Sequence, residues 1–285
     1  MADTSAAVRE VVESARSAGP EFGPEDLAFF AEGMRQRAGV ILPDTKAALV
    51  FRRLAPRVRE LGFTSFAAYR QRLANPDDVE WEYVVGQLTT NHSHFYREIH
   101  HFRLLSEHLA QLVGAGQTRI RIWSAACAAG QEPYSMAILL AHQLGTRKDI
   151  DAKVLATDID RTTLAAAERG RYTPEDLGKL PRFARPYVRS ELEGTSTVTE
   201  IPRQYVSFKY HNLVSDEWPM RGPFDAIFCR NVLIYLSRAD QAAVIARLAA
   251  LLKVGGILCL GHSEVARSTN APIKRLDVPS SYVRI

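Results

Sequence analysis

Long apolar runs are missing from this chain. Nothing approaches the roughly 18 uncharged apolar residues of a membrane span, and even the run from Gln241 to Leu252 is broken by Arg247. No membrane insertion is expected. The opening MADTSAAVRE lacks a basic flank followed by an apolar core, so no secretory signal is read and the expected location is the cytoplasm. Cysteine is scarce. Cys127, Cys229 and Cys259 form no CxxC pair and have no histidine at zinc spacing, which argues against a disulfide framework or a structural zinc site. No heptad or glycine period dominates, so a fibrous or coiled-coil chain is excluded and a monomer is expected. The dinucleotide fingerprint GxGxxG is absent as well.

What is present is globular. The 285 residues allow about two domains at roughly 150 residues each, and 46% apolar with 24% charged residues is an ordinary folded composition. The formal charge is only +4, but it is uneven: from Met34 to Arg72 nine Lys or Arg face Asp44 and Glu60, a local net of +7. That excess predicts an acidic partner for the first third of the chain.

From Pro24 to about Gln111 apolar residues recur at spacings of three and four, the pattern of helices. Pro24 with Glu25 and Asp26 opens the first, Leu27, Phe29, Phe30 and Met34 supply its buried face, and Gly39 ends it. A second helix begins near Asp44, whose side chain can cap it, and runs to Gly62, with Pro56 expected to kink or shorten it. Thr64 to Leu73, Pro76 to Leu88 and Glu98 to Val113 are three more. After Gly116 the character changes. Strand-like runs at Arg119 to Trp123, Lys153 to Thr157, Val206 to Tyr210, Phe224 to Cys229, Gly256 to Leu260 and Ser281 to Ile285 alternate with helical patterns. Alternation of this kind predicts an α/β fold with a doubly wound parallel sheet. The interval from Tyr172 to Gln204 is too long for a simple connection and predicts a small inserted β-subdomain, placed at about 177–210.

Polar groups gather where the strands end. The first strand runs into Ala125-Ala126-Cys127-Ala128-Ala129-Gly130, small residues that let a ligand approach the backbone at the carboxyl edge of an α/β sheet. Asp158 ends the second strand, where it either accepts bonds from a ribose or caps the helix starting near Arg161. Asn212 follows the third strand and Arg230-Asn231 the fourth.

IWSAACAAGQEPYSMA from Ile122, together with VLATDID, FDAIFCRNVLIYL and LLKVGGILCLGHSE, resembles the bacterial chemotaxis-receptor glutamate methyltransferases of the CheR family. The resemblance extends through RAGVILPDTKAALVFRRLAPRVRELGF and LTTNHSHFYREIHHF, nearly the whole chain. It implies a Rossmann-like sheet dependent on S-adenosylmethionine (AdoMet), with a small antiparallel β-subdomain insertion, preceded by an all-α N-terminal domain. The implied division is 1–90 for receptor docking, 91–115 for a linker and helix, and 116–285 for the methyltransferase. It also implies that Asn91, Ser93 and Arg97 contact the cofactor, that Gln131 or Glu132 meets its methionine end, and that Asp158 meets its ribose. Asn212, Leu213, Arg230 and Asn231 would form the adenine side and the pocket floor. The family often has Thr at position 93, an apolar residue at 94 and Glu at 131; Ser93 keeps the hydroxyl, whereas Gln131 loses a charge.

The implied reaction needs little from the protein by way of acid and base. A glutamate carboxylate, with a pKa near ~4.3, is already a nucleophile at neutral pH, so alignment and exclusion of water are the main tasks. Tyr235 is the candidate wall of the transfer pocket, or else a core aromatic. Arg97 and Arg103 are candidates to steer the substrate acid, with a solvated fate as the alternative for Arg103. His92, His94, His100 and His101 cluster, but they share no helical face and no acid or Cys completes a metal set, so no metal is expected. His262 either shapes the pocket rim or satisfies a loop carbonyl, and Cys127 serves as a small neutral residue. Arg53 and Arg57 share a helix face beside Arg52 and Arg59, a row that fits the acidic cytoplasmic helices of methyl-accepting receptors, or else is merely solvated. Changing Arg53 and Arg57 together to Glu is expected to weaken receptor binding alone. Two rivals remain. A nucleic-acid methyltransferase would suit the basic row and a pI of about 9.0, but Asn231-Val232-Leu233-Ile234-Tyr235 stands where such enzymes carry Asn-Pro-Pro-Tyr, and no nucleic acid is expected. The other is an AdoMet-binding signalling adaptor without turnover.

Overall fold

The computed structural model describes residues 19–178, 180–191, 194–266 and 270–285. They divide into two units: one running to Thr90 and including Tyr235–Ser237, the other made of Asn91–Ile234 and Arg238–Ile285. Segment 91–115, expected as a linker and helix, therefore belongs to the second unit. No helix among the described residues is long and apolar enough to cross a membrane.

The first unit is helical. α1 (Pro24–Ala38) opens on proline, whose missing amide is harmless in a first turn, and the Gly23 amide donates to Asp26 Oδ2 at 2.7 Å. Leu27, Phe30, Met34 and Ala38 form its buried stripe, and Gly39 at φ 67° ends it. Gly33 admits no side chain, because a Cβ there would meet the Trp81 ring at 2.2 Å. The second helix departs from expectation at its start. Asp44–Lys46 is a 3-10 turn with Pro43 in the capping position, so Asp44 caps nothing, and α2 (Ala47–Glu60) begins three residues later. Pro56 does not shorten α2; it deprives only the Arg52 carbonyl of its helical donor. α3 (Phe66–Leu73) is capped by Ser65 Oγ, which accepts from the Ala68 amide at 3.3 Å. α4 (Glu80–Leu88) starts after a turn in which the Asp78 amide bonds the Asn75 carbonyl, later than the expected Pro76.

Between these helices lies a buried carboxylate that the periodicity does not announce. Glu80, 3% exposed, accepts two bonds from Arg57, both at 2.8 Å, and one from the Tyr69 hydroxyl at 2.8 Å. Burial pushes its carboxyl up, but the bonds from Arg57 and Tyr69 prevail and hold it below its ordinary range.

The second unit opens with α5 (Ile99–Gly114) and β1 (Arg119–Ala125), followed by α6 (Gln131–Leu144), β2 (Asp151–Asp158), α7 (Arg161–Arg169), β3 (Arg171–Tyr172) and α8 (Pro174–Leu177). Then come β4 (Val188–Ser190), β5 (Ser196–Val198), α9 (Glu200–Arg203), β6 (Val206–Tyr210), β7 (Phe224–Cys229), α10 (Arg238–Leu251), β8 (Leu252–Leu260), β9 (Ile273–Arg275) and β10 (Ser281–Arg284). The seven-stranded sheet has the order β6-β2-β1-β7-β8-β10-β9. Its first five strands are parallel, and β10 and β9 are antiparallel additions. From β1 the chain winds outward to β6 and returns to β7 on the other flank of β1, which opens a crevice at the carboxyl ends of β1 and β7.

Six expected strands are present. β9, three residues in a charged stretch, gave no alternation to detect. The inserted subdomain is a three-stranded antiparallel sheet, β3-β5-β4, within 171–198 rather than 177–210. Val206–Tyr210 lies outside it, because it pairs in parallel with β2 as the edge of the main sheet.

At the end of β6, His211 is 5% exposed, its ring 5.1 Å from Trp218 and 6.1 Å from Trp123. Burial, then the nearby Arg247 cation, lowers it from 6.5 to about 4. Between those values the unfolded chain holds the extra proton, so this group's stabilisation is complete above the upper value and is lost as pH falls toward the lower one. The slope is at most about 1.4 kcal/mol per pH unit. His211→Phe is expected to flatten that limb in urea midpoints measured across the range; an unchanged slope would assign it to other groups.

Candidate functional site

The loop from β1 to α6 sits at the crevice and is shaped by its backbone. Ala126, Ala128 and Gly130 all adopt positive φ, at 64°, 48° and 91°. For the two alanines this is a strained region, the kind of cost that persists where surrounding contacts impose it. One such contact is Asp158 Oδ2, which accepts from the Ala128 amide at 2.8 Å, while Oδ1 accepts from the Asp160 amide at 3.0 Å. Burial pushes the Asp158 carboxyl up against these bonds.

Asp158 is not the cap of α7. Asp160 takes that role, accepting from the Thr162 and Thr163 amides at 2.9 and 3.1 Å. A carboxylate offers about four acceptor directions, so Asp158 keeps capacity for hydroxyl donors. Asn91 reaches the same corner, donating to Asp160 Oδ2 at 2.6 Å and Thr163 Oγ1 at 2.9 Å.

The first turn of α6 distinguishes its candidate acid, Glu132, from its candidate amide, Gln131. Glu132 is paired on both oxygens: Ser124 Oγ donates to it at 2.7 Å and Arg230 Nη1 at 2.9 Å. Burial still raises its carboxyl, Arg230 acting in the opposite sense. Gln131 is 5% exposed and its Oε1 has no hydrogen-bond partner. Next to it, the Ser135 hydroxyl donates to the Gln131 carbonyl at 2.6 Å and accepts from the Tyr96 amide at 3.0 Å, which docks the segment before α5 onto α6.

Arg230 is a buried hub rather than an open floor. Its side chain is 2% exposed, pairs with Glu132, lies 3.3 Å from Glu98 Oε2, and donates to the Arg97 carbonyl. Its guanidinium lies over Phe102 and Phe228 at 5.8 and 5.9 Å. Arg97 itself donates to the His92 carbonyl at 3.0 Å. Asn231, at φ 59°, is held by Glu264 Oε2, which accepts its amide at 2.9 Å and that of Gly261 at 2.6 Å. Asn212 Oδ1 accepts from the Val214 amide at 3.2 Å; Leu213, after β6, and Ser93, in the segment before α5, are both half-buried.

Other expected residues fall elsewhere. Arg103 is exposed on α5, the solvated alternative. Tyr235 groups with the helical unit, where its carbonyl accepts from the Ile41 amide at 2.8 Å, and it lies on a 3-10 turn, not a helix. The docking row is divided. Arg53 donates to the Gln87 and Thr89 carbonyls at 2.7 and 2.6 Å, Arg57 holds Glu80, and Arg52 and Arg59 alone stay exposed. Arg53 and Arg57 are thus internal braces: Gln87, Thr89 and Glu80, all outside the basic window, accept from them, and Arg57 also pairs with Glu60 at 3.1 Å within it. Cys127 is buried and its thiol is pushed well up, as suits a small neutral residue.

Two acids escaped the sequence reading. Glu98 follows Arg97 directly, but only its left-handed φ of 56° shows that it turns toward His101 and His262. Glu264 closes the GHSE motif, and nothing in the spacing of that motif marks it as the acceptor of the Asn231 and Gly261 amides. His262 faces the Glu98 carboxylate at 3.1 Å, not a loop carbonyl.

Comparison with known proteins adds a family to this geometry. Residues 25–89 match the model of the CheR methyltransferase all-alpha domain, and residues 91–281 that of the CheR methyltransferase SAM binding domain. A chemotaxis protein methyltransferase of Escherichia coli strain K12 is 42% identical over 234 residues, covering 80% of each chain. Chemotaxis protein methyltransferase 2 of Pseudomonas aeruginosa is 39% identical over 258 residues, 86% of this chain and 90% of that one. With an all-α unit followed by an α/β unit whose strand ends carry the polar site, the chain belongs to the CheR family of AdoMet-dependent chemotaxis methyltransferases.

Proposed function

We propose that this chain methylates glutamate side chains on the cytoplasmic helices of methyl-accepting chemotaxis receptors, giving methyl esters, and that it acts in the cytoplasm. The observation that carries the reading is the pair of acceptors at the carboxyl edge of the sheet: the Asp158 carboxylate at the end of β2 and the unpartnered Gln131 Oε1 at the start of α6. These fit AdoMet. The carboxylate suits its ribose hydroxyls, and a buried amide oxygen lacking a donor suits its ammonium. Glu132, the other candidate for that end, already holds Arg230 and the Ser124 hydroxyl, one on each carboxylate oxygen, whereas the Gln131 oxygen holds nothing. AdoMet, when bound, supplies a methyl carbon on a sulfonium that leaves as a neutral thioether.

The chain's own groups position rather than activate. Glu98, Glu132 and Glu264 are engaged with Arg230 or backbone amides, so the substrate carboxylate arrives as its own nucleophile. Arg230 and Glu264 hold Arg97 and Asn231 in place beside the crevice, which keeps the reacting geometry from drifting. The nucleic-acid alternative loses its main support, since Arg53 and Arg57 bond inside the helical unit.

Labelled methyl transfer to purified receptor cytoplasmic fragments tests the reading, with glutamate-to-alanine fragments and nucleic acid as controls. Base-labile label on the intact fragment alone is expected; label on nucleic acid, or none despite AdoMet binding, overturns it. Asp158→Ala is expected to weaken AdoMet binding about 10- to 100-fold, the loss of one or two charged hydrogen bonds, with Asp158→Asn weakened less. Calorimetric titration measures both, and equal affinities would remove Asp158 from the site.

A further inference from the structure

We propose that Glu98, His100 and His101 bind a divalent transition-metal ion of the zinc class. One ligand atom from each lies within 4.8 Å of the other two. Their orientation is more telling than their proximity. His101 is fully buried, and its Nε2 lies 2.9 Å from the Pro279 carbonyl, which can only accept. Nε2 therefore carries the hydrogen, and the neutral ring presents a lone pair at Nδ1. That nitrogen faces Glu98 Oε2 at 3.5 Å, and neither atom has a hydrogen-bond partner. His100 adds a third: its Nε2 is buried and without a partner, and its ring stands 4.2 Å from that of His101.

Three buried polar atoms converging with no hydrogen bond among them, while Arg230 faces Glu98 Oε2 from 3.3 Å, is a costly arrangement in a protein interior, and a cation among them lowers the cost. The left-handed φ of 56° at Glu98 is what swings the carboxylate back over the first turn of α5 toward both rings. Two imidazoles and one carboxylate match the preferences of zinc, nickel or copper rather than magnesium or calcium. Charge permits it. One guanidinium, Arg230, is shared between Glu98 Oε2 at 3.3 Å and Glu132 Oε2 at 2.9 Å, so two carboxylates face a single cation and the cluster keeps a net negative charge to meet a metal ion. On the solvent side, His262 is 66% exposed with Nδ1 3.1 Å from Glu98 Oε1, the carboxylate oxygen that faces away from His101.

The test uses the tag-free full chain. Zinc titration against a competing chelator is expected to show one ion per chain, and the melting temperature is expected to rise with zinc concentration. His100→Asn, at a half-buried position, is expected to lower zinc affinity about tenfold or more, as loss of a ligand should. His142→Asn, at an exposed histidine on α6, should leave it unchanged. Equal affinity for His100→Asn and the parent chain overturns the proposal. So does a nitrogen NMR spectrum of the metal-free chain at neutral pH showing His101 protonated at both nitrogens and insensitive to zinc, because a proton then fills the gap.

Discussion

Arg230→Leu is expected to destabilise the α/β unit by about 3–5 kcal/mol, the range for breaking a buried ion pair from one side. The effect is large because the loss is not one contact. Glu132 and Glu98 are left without their shared cation, Ser124 Oγ remains as a neutral donor to Glu132, and the Arg97 carbonyl loses its donor. Leucine replaces the bulk over Phe102 and Phe228 but none of the charge. Urea unfolding followed through Trp123 and Trp218 gives the measurement. Adding Glu132→Gln to Arg230→Leu is expected to recover part of the loss, since one stranded charge is then gone, and the cycle yields their coupling. Arg230→Leu with an unmoved midpoint would show that the hub carries no stability.

Glu98 gives the same hub an acid limit. Burial pushes its carboxyl up, but Arg230 and His262 bring it down to about 2, from 4.5. A depressed carboxylate stabilises fully above the unfolded value and loses that contribution as pH falls toward the folded one. The hub is therefore expected to weaken between about pH 4.5 and pH 2, and Arg230→Leu should remove this part of the acid response.

Arg57→Ala is expected to cost the helical unit about 3 kcal/mol, again because a buried carboxylate, Glu80, loses its main partner. Arg72, at 3.5 Å, and the Tyr69 hydroxyl, at 2.8 Å, remain as partial compensation. By contrast, Arg52→Glu with Arg59→Glu is expected to change stability by no more than about 0.5 kcal/mol, as exposed positions usually do. This contrast corrects the design suggested by the row of arginines. Changing Arg53 and Arg57 together would unfold the unit before it reported on any receptor, whereas Arg52 and Arg59 test docking in a folded protein. Their reversal is expected to weaken receptor fragments most at low salt. Melting curves of the two pairs, with fragment binding at two ionic strengths, settle both points.

The local basic excess shows why part of this protein is hidden in one dimension. Within Met34 to Arg72 the count is lopsided, yet Arg35 pairs with Glu32, Arg70 with Asp26 and Glu25, and Arg72 with Asp78, all acids outside that window. Arg37 lies over the Trp81 ring at 3.9 Å. A window of sequence weighs charges by position, while the folded unit weighs them by distance, and the two disagree wherever helices return side by side. The strand ends behaved differently. Asp158, Arg230 and Asn231 follow directly on predicted strands, and a strand's end has one place in a doubly wound sheet, so their gathering at the crevice edge was legible.

Element type, order and the polar carboxyl edge followed from the amino-acid sequence by itself, because periodicity, proline and glycine act within a turn or two of the residue that carries them. So did the family, through motifs that keep their order along the chain. Which long side chain meets which partner was decided only by tertiary structure: Arg57 finds Glu80 across 23 residues, and Arg230 finds Glu132 across 98. The same holds for Gln131 being left with a bare oxygen while its neighbour Glu132 is paired on both of its own, and for Glu98 turning toward two histidines. Such pairings depend on packing between elements far apart in the chain, where a single left-handed residue or one returning helix changes the outcome and leaves no period in the sequence to reveal it.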